Sequence, residues 1–162
     1  MQEIGVLFVC MGNICRSPAA QGVFEALWRQ SASGIPVRVD SAGTHAYHVG
    51  EPPDARMQAA AARRGYDLSA QRARRFEPAD TTRFDYILAM DQSNLDALRQ
   101  RVGNPGSVAS MNLLMSFAPE RGVIEVPDPY YGGSEGFEHV LDLVEEACAG
   151  LIEEIGKRAT ST

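Results

Sequence analysis

Lysine is nearly missing from this sequence. Of its fifteen basic residues only Lys157 is lysine, a bias for which we have no physical account. Cysteine is scarce as well. Three residues, an odd number, exclude a disulfide-stapled scaffold and point to free thiols in a reducing cytoplasm. No apolar run approaches the length of a membrane span, and Met1-Gln2-Glu3 lacks the basic stretch that opens a secretory signal. The net charge of −6 argues against a general nucleic-acid binder. His45, His48 and His139 share no metal-ligand spacing with one another or with cysteine, so no metal is expected; no organic cofactor is expected either. Without a repeat, a low-complexity stretch or a linker, the 162 residues read as one domain, 1–162. That length buries a core without cross-links.

What is present is unevenly placed. Residues 1–75 hold nine arginines against six acids, and residues 76–162 hold six bases against fifteen acids. The front half is suited to anions; scattered solvated charge is the plainer reading. Strand-like and helix-like segments alternate. Ile4 to Cys10 is a short β-branched run, read as a buried strand. Ser17-Pro18 reads as an N-cap followed by the first helical residue, with Val23, Phe24, Leu27 and Trp28 on one helical face. Further strands are expected at Val37 to Ala42, Tyr86 to Met90 and Val108 to Met111. Helices are expected from Pro53 to Gly65 and from a cap at Asp91 to about Arg101, the latter broken by Gly103-Asn104-Pro105-Gly106. A last helix carries the stripe Phe137, Val140, Leu141, Val144, Cys148, Leu151, Ile152 and Ile155. This alternation implies a three-layer α/β fold. A four-stranded parallel sheet, order 2-1-3-4, has helices on both faces, and ligands bind beyond the carboxyl ends of its strands.

That rule directs attention to Cys10-Met11-Gly12-Asn13-Ile14-Cys15-Arg16-Ser17. A thiol ends a strand, a short loop follows, and a helix begins. If the loop curls around one point, its amides face inward and join the helix N-terminus in an anion cradle. Gly12 permits a tight or left-handed backbone. Asn13 tolerates the same region and can tie the loop with its side chain. Arg16 offers a planar fork for two phosphate oxygens. The same field favours an ionised sulfur on Cys10, and the Ser17 hydroxyl can donate to it. The competing reading of Cys10 is an inert thiol at a strand end; the strand before it, Gly and Asn inside the loop and Ser-Pro after it favour the cradle.

Cys-x-Gly-Asn-x-Cys-Arg-Ser-Pro near the N-terminus resembles the low-molecular-weight protein tyrosine phosphatases. Asp40-Ser41-Ala42-Gly43-Thr44 resembles the end of that family's second strand, and Asp128-Pro129-Tyr130-Tyr131-Gly132 its general-acid loop. The resemblance implies hydrolysis of phosphotyrosine monoesters through a phosphocysteine. In it Cys10 is the nucleophile, Arg16 binds the phosphate and steadies the transition state, and Ser17 assists the thiolate. Asn13 holds the loop with Ser41 behind it, and Asp128 is the general acid. Met11, Ile14, Tyr47 and Tyr131, with Tyr130 beside them, line the slot for the phosphotyrosine ring. The expected partners are a phosphotyrosine protein and the tyrosine kinase that opposes the enzyme; a monomer is expected. Attack and departure lie on opposite sides of phosphorus, so the acid must come from a separate loop, which suits Asp128. Burial there would favour its protonated form. Asp128-Pro129 is otherwise a turn starter.

Several readings stay open in the sequence. Tyr130 and Tyr131 either pack into the core or form an aromatic wall, and either is a candidate for phosphorylation. Cys15 either packs against the first helix or forms a reversible disulfide with Cys10. His45 and His48 sit at the pocket rim or on a solvated loop. Gln71 stands where the family often has histidine. Arg72, Arg74 and Arg75 form a solvated face or a docking patch for acidic partners. Arsenate reductases of the same fold need two further mid-chain cysteines, and residues 16–147 contain none. Protein arginine phosphatases resemble the loop with a smaller polar residue where Ile14 stands. A phosphate-binding module without turnover is the third rival.

Overall fold

A computed structural model describes residues 3–102 and 110–160. Four strands, β1 (Ile4–Cys10), β2 (Val37–Gly43), β3 (Tyr86–Ala89) and β4 (Ser110–Leu113), form one sheet in the order β2-β1-β3-β4. Every pairing is parallel, with Cys10 opposite Gly43 and Val9 opposite Ala89. The expected sheet and its order are therefore present. β1 is central, and its apolar run is buried from Gly5 to Cys10, as a parallel strand covered on both faces requires. Helices α1 (Arg16–Ser31), α2 (Ala55–Arg63), α3 (Asp80–Arg83), α4 (Gln92–Val102) and α5 (Ser134–Thr160) surround it. One apolar cluster joins alternate residues of β1 to α1 and α5; the other joins Leu7 and Val9 to Leu95 and Leu98 of α4 on the opposite face.

The α5 stripe is as expected: of its eight residues only Ile152 is less than fully buried. Other expectations are corrected. Ser17 is not the cap of α1. The helix begins at Arg16, its cap position is Cys15, and no side chain caps it; the Ser17 hydroxyl is used by the site instead. The helix expected from Pro53 starts at Ala55, because the Asp54 carboxylate accepts the Arg56 amide and sets the end there. It ends by Arg63, and Gly65 takes the left-handed backbone (φ +90°) that turns the chain. β4 runs to Leu113 rather than Met111, while Val108 and the Gly103–Gly106 break lie outside the described residues. Short α3 was not expected. It buries Asp80 against Arg74, a contact that no periodicity signals.

Candidate active site

β1 ends at Cys10 and α1 starts at Arg16, so five residues must reverse the chain at the carboxyl edge of the sheet. Their carbonyls are drawn outward. Cys10 and Met11 carbonyls accept the amides of Thr44 and His45 at 2.9 and 3.0 Å, and the Ile14 carbonyl accepts the amide of Asp54 at 2.8 Å. The Met11–Ser17 amides have no protein acceptor among the described residues, which leaves them available to an anion. Asn13, not Gly12, takes the left-handed conformation (φ +59°). Its side chain donates to Ser17 Oγ at 2.8 Å and Ser41 Oγ at 2.9 Å, and accepts the Arg74 amide at 3.0 Å. Gly43 is where a side chain is excluded: a Cβ there would lie 2.8 Å from the Met11 carbonyl oxygen.

The Cys10 sulfur lies 3.0 Å from the Ser17 hydroxyl, both buried. Ser17 Oγ accepts from Asn13 and keeps its proton available for an ionised sulfur. Arg16 is buried too. Its Nη1 donates to Asp91 Oδ2 at 2.7 Å and to the Val126 carbonyl at 3.1 Å. Burial disfavours its charge, but the Cys10 sulfur, Asp91 and Asp128 more than offset this and hold the guanidinium ionised. With Nη1 committed, Nε and Nη2 remain as a donor edge for an oxyanion. Asp91 follows β3 and caps α4, accepting the Asn94 amide at 2.7 Å; sequence reasoning saw only the cap. The available signal was position: Asp91 stands just past the strand next to β1, where a parallel sheet gathers its functional groups.

Asp128 reaches the cradle through the backbone. The Val126 amide donates to the Met90 carbonyl at 2.8 Å, which docks the segment beyond the end of β3. Two residues later Asp128 Oδ2 stands 3.7 Å from Arg16 Nη2. The expectation of a buried carboxyl is corrected, since 40% of its side chain is exposed. Its Oδ1 accepts the Tyr130 amide at 3.0 Å, so the turn and the site placement coexist.

Cys10, Met11, Gly12, Ile14, Cys15 and Arg16 form the floor of a cavity of about 320 Å³, and Tyr47, His48, Asp128, Tyr130 and Tyr131 its walls. Tyr130 is half-buried and packed against the core, whereas Tyr131 is 96% exposed and edge-on to it at 5.0 Å. His48 lines the pocket and pairs with Glu51 at 3.2 Å, while His45 stacks on Tyr47 outside it. Cys15 is buried beside Cys10 as a free thiol, and burial, then Asp54, push its pKa well up. Cys148 is a buried core thiol on α5. Gln71 donates to the Pro18 carbonyl at 3.1 Å, and its buried Oε1 has no partner among the described residues. Of the three arginines Arg72 and Arg75 are exposed, which fits either a solvated face or a docking patch, whereas Arg74 is spent on Asp40 and Asp80 at 3.0 Å each. No cluster of three or more metal-ligating side chains occurs among the described residues.

A buried thiol in a strand-to-helix loop with free amides, and beside it a buried arginine and a carboxylate on an α/β sheet, is the arrangement that a cysteine-dependent phosphatase needs. The model of the low molecular weight phosphotyrosine protein phosphatase family matches residues 5–161. The chain is 44% identical over 149 residues to a low molecular weight protein-tyrosine-phosphatase of Streptomyces coelicolor, covering 91% of this chain and 90% of that one. The crystal structure of a protein tyrosine phosphatase from Entamoeba histolytica superimposes with a TM-score of 0.91 at 38% identity, over 96% of this chain and 99% of that one. A Drosophila arginine phosphatase gives 0.86 at 32% identity, over 93% and 96%. The chain belongs to the low molecular weight phosphotyrosine protein phosphatase family, and it is a hydrolase.

Proposed function

We propose that residues 1–162 act as one phosphatase domain that hydrolyses phosphotyrosine in proteins by two displacements on Cys10. In the first, the Cys10 sulfur forms a bond to phosphorus as the bond to the tyrosine oxygen breaks. Asp128 gives its proton to the departing phenolate, whose conjugate acid has a pKa near 10. In the second, Asp128 takes a proton from water, the water oxygen bonds to phosphorus and the sulfur leaves as thiolate, steadied by the Ser17 hydroxyl. Arg16 and the loop amides hold the three equatorial oxygens throughout, where charge is greatest in the transition state. Asn13 and Ser41 keep the loop closed. Met11, Ile14, Tyr47, Tyr130 and Tyr131 receive the ring. A phosphotyrosine protein is the partner this activity needs, and a tyrosine kinase is its natural opponent. Monomeric action is part of this reading, and three free thiols suit a reducing cytoplasm.

The observation that carries this reading is the 3.0 Å contact of the Cys10 sulfur with Ser17 inside a loop whose carbonyls face outward. The aromatic walls and the apolar Ile14 favour a phenyl ring over a guanidinium. Arsenate reduction is disfavoured because Cys148, the third thiol, is sealed in the core. The test is a turnover comparison of phosphotyrosine, phosphoserine and phosphoarginine peptides, with arsenate reduction as control. Phosphotyrosine should dominate; a phosphoarginine preference overturns the substrate assignment. Asp128→Ala should slow phenyl phosphate cleavage by roughly 10²–10⁴-fold and matter less as the leaving group becomes more acidic. Full activity on poor leaving groups would remove Asp128 from the acid role.

A further inference from the structure

A second cavity, of about 690 Å³, opens beside the first. Four arginines line it, and they are not equivalent. Arg74 is spent internally on Asp40 and the buried Asp80. Arg38 lies over the Phe84 ring and pairs with Glu3 at 3.4 Å. Arg83 reaches Glu77 and Asp80 at 3.5 and 3.8 Å, with 55% of its side chain exposed. Arg75 has no carboxylate within ion-pair distance among the described residues; its Nε donates to the Thr44 carbonyl at 3.4 Å. Asp80 is already neutralised by Arg74. The cleft lining thus sets four arginines against Asp40, Glu77 and Asp80, an excess of one positive charge that falls on Arg75, with the half-exposed Arg83 beside it, in a protein whose net charge is −6.

Its position relative to the chemistry follows from the sheet. Gly43 pairs with Cys10 on one side and bridges Arg75 on the other. Two ladder steps put the Arg75 backbone roughly 10 Å from that of Cys10. Residues 44–49 separate the two cavities. Tyr47 and His48 face the first, and Val49 lines the second. Tyr47 and Val49 are both exposed, so a chain leaving the first cavity crosses an apolar ridge into the second.

We infer that this cleft is a docking subsite for aspartate and glutamate side chains flanking the phosphotyrosine of a protein substrate. The inference rests on the phosphotyrosine reading above and names the kind of sequence that site accepts. An extended chain advances roughly 3.3–3.6 Å per residue, so acids about three to five residues from the phosphotyrosine reach Arg75 and Arg83. Overall negative charge repels such a segment; the cleft supplies local attraction within a screening length of about 8 Å.

The test compares the unmodified enzyme with Arg75→Glu and with Arg75→Glu/Arg83→Glu. The substrates are a small aryl phosphate, a phosphotyrosine peptide flanked by Asp and Glu, and the same peptide with Asn and Gln. The unmodified enzyme should prefer the acidic peptide. The double variant should raise KM for that peptide by about 3- to 10-fold and leave the neutral peptide and the aryl phosphate within about twofold of the unmodified enzyme. The preference should fade with added salt. Equal use of both peptides by the unmodified enzyme, or equal loss on both in the variant, overturns the docking subsite. The aryl phosphate reports folding and chemistry separately. If it is not hydrolysed at all, the phosphatase reading fails, and the cleft is judged by calorimetric titration with an unphosphorylated acidic peptide, whose binding Arg75→Glu should weaken; unchanged binding overturns the subsite there too.

Discussion

Two loops meet over the pocket, and they are built on opposite plans. The loop from Cys10 to Ser17 is closed from outside and inside at once. Three of its carbonyls accept amides from residues 44, 45 and 54, and the buried Asn13 side chain makes three hydrogen bonds. The loop from Asp128 to Tyr131 exposes Asp128 and Tyr131 and is anchored by the buried Pro129 and the half-buried Tyr130. It has one short internal bond, from the Tyr130 amide to Asp128, and hangs from the Val126–Met90 contact. The Arg56 guanidinium clips it from the side, 5.4 Å from the Tyr130 ring and 4.8 Å from that of Phe137. The contrast has a chemical sense. A phosphoryl cradle works only if its dipoles are fixed before charge develops, whereas a proton donor must meet leaving groups carried by different proteins.

The sharpest way to break the comparison is to remove the sulfur and leave the cradle. Cys10→Ser should lower turnover by at least about 10⁴-fold yet keep inorganic phosphate affinity, because the amides and Arg16 are untouched. Calorimetry on the variant checks this; loss of phosphate binding would mean that sulfur and cradle are not separable. Asn13→Ala attacks the closure itself. It deletes three hydrogen bonds and places alanine at φ +59°. We expect a stability loss of about 2–4 kcal/mol and kcat lower by roughly 10–100-fold, read from denaturant melts and steady-state kinetics. A variant equally stable and active would show that the outer carbonyl contacts suffice.

The same division explains what the sequence disclosed. Ile4–Cys10, the loop motif and the α5 stripe are local patterns, where neighbours in the chain share a face or a turn, and they were legible. So was the sheet order, since alternating elements leave few connections. The partners of Arg16 were not. Asp91 and Val126 lie 75 and 110 residues away, and each has a sufficient local explanation, a helix cap and an apolar position. Ser17 misled for the same reason. Ser-Pro is a good helix start, but the hydroxyl is claimed by Cys10 and Asn13, and α1 begins without a side-chain cap. Arg74 looked like surface charge because its two carboxylates come from β2 and α3.

Smaller effects should appear where the two loops are joined. Arg56→Ala removes the clip on Tyr130 without touching the cradle. We expect kcat on phenolic leaving groups to fall by about 2–5-fold, with phosphate affinity unchanged. A matching loss of phosphate affinity would show that the loops are one unit.

The smallest effect concerns Asp54, which serves both loops. Its amide donates to the Ile14 carbonyl, and its carboxylate caps α2 and holds Arg56 at 2.9 Å. The hydrogen bond from Arg56 holds its pKa below the ordinary aspartate value, against the opposing effect of burial. A carboxyl whose folded pKa is depressed adds stability that is complete above its unfolded value and is lost as pH falls through the folded one. The contribution should thus be present at pH 5 and decline from about pH 4 downward. Asp54→Asn keeps a capping oxygen but no charge, so it should cost less than the roughly 1 kcal/mol of a lost cap and flatten this part of the acid profile. Thermal melts of both proteins between pH 5 and pH 3 measure the difference. Parallel curves would mean that the Asp54 charge contributes nothing and that its amide and capping oxygen alone join the loops.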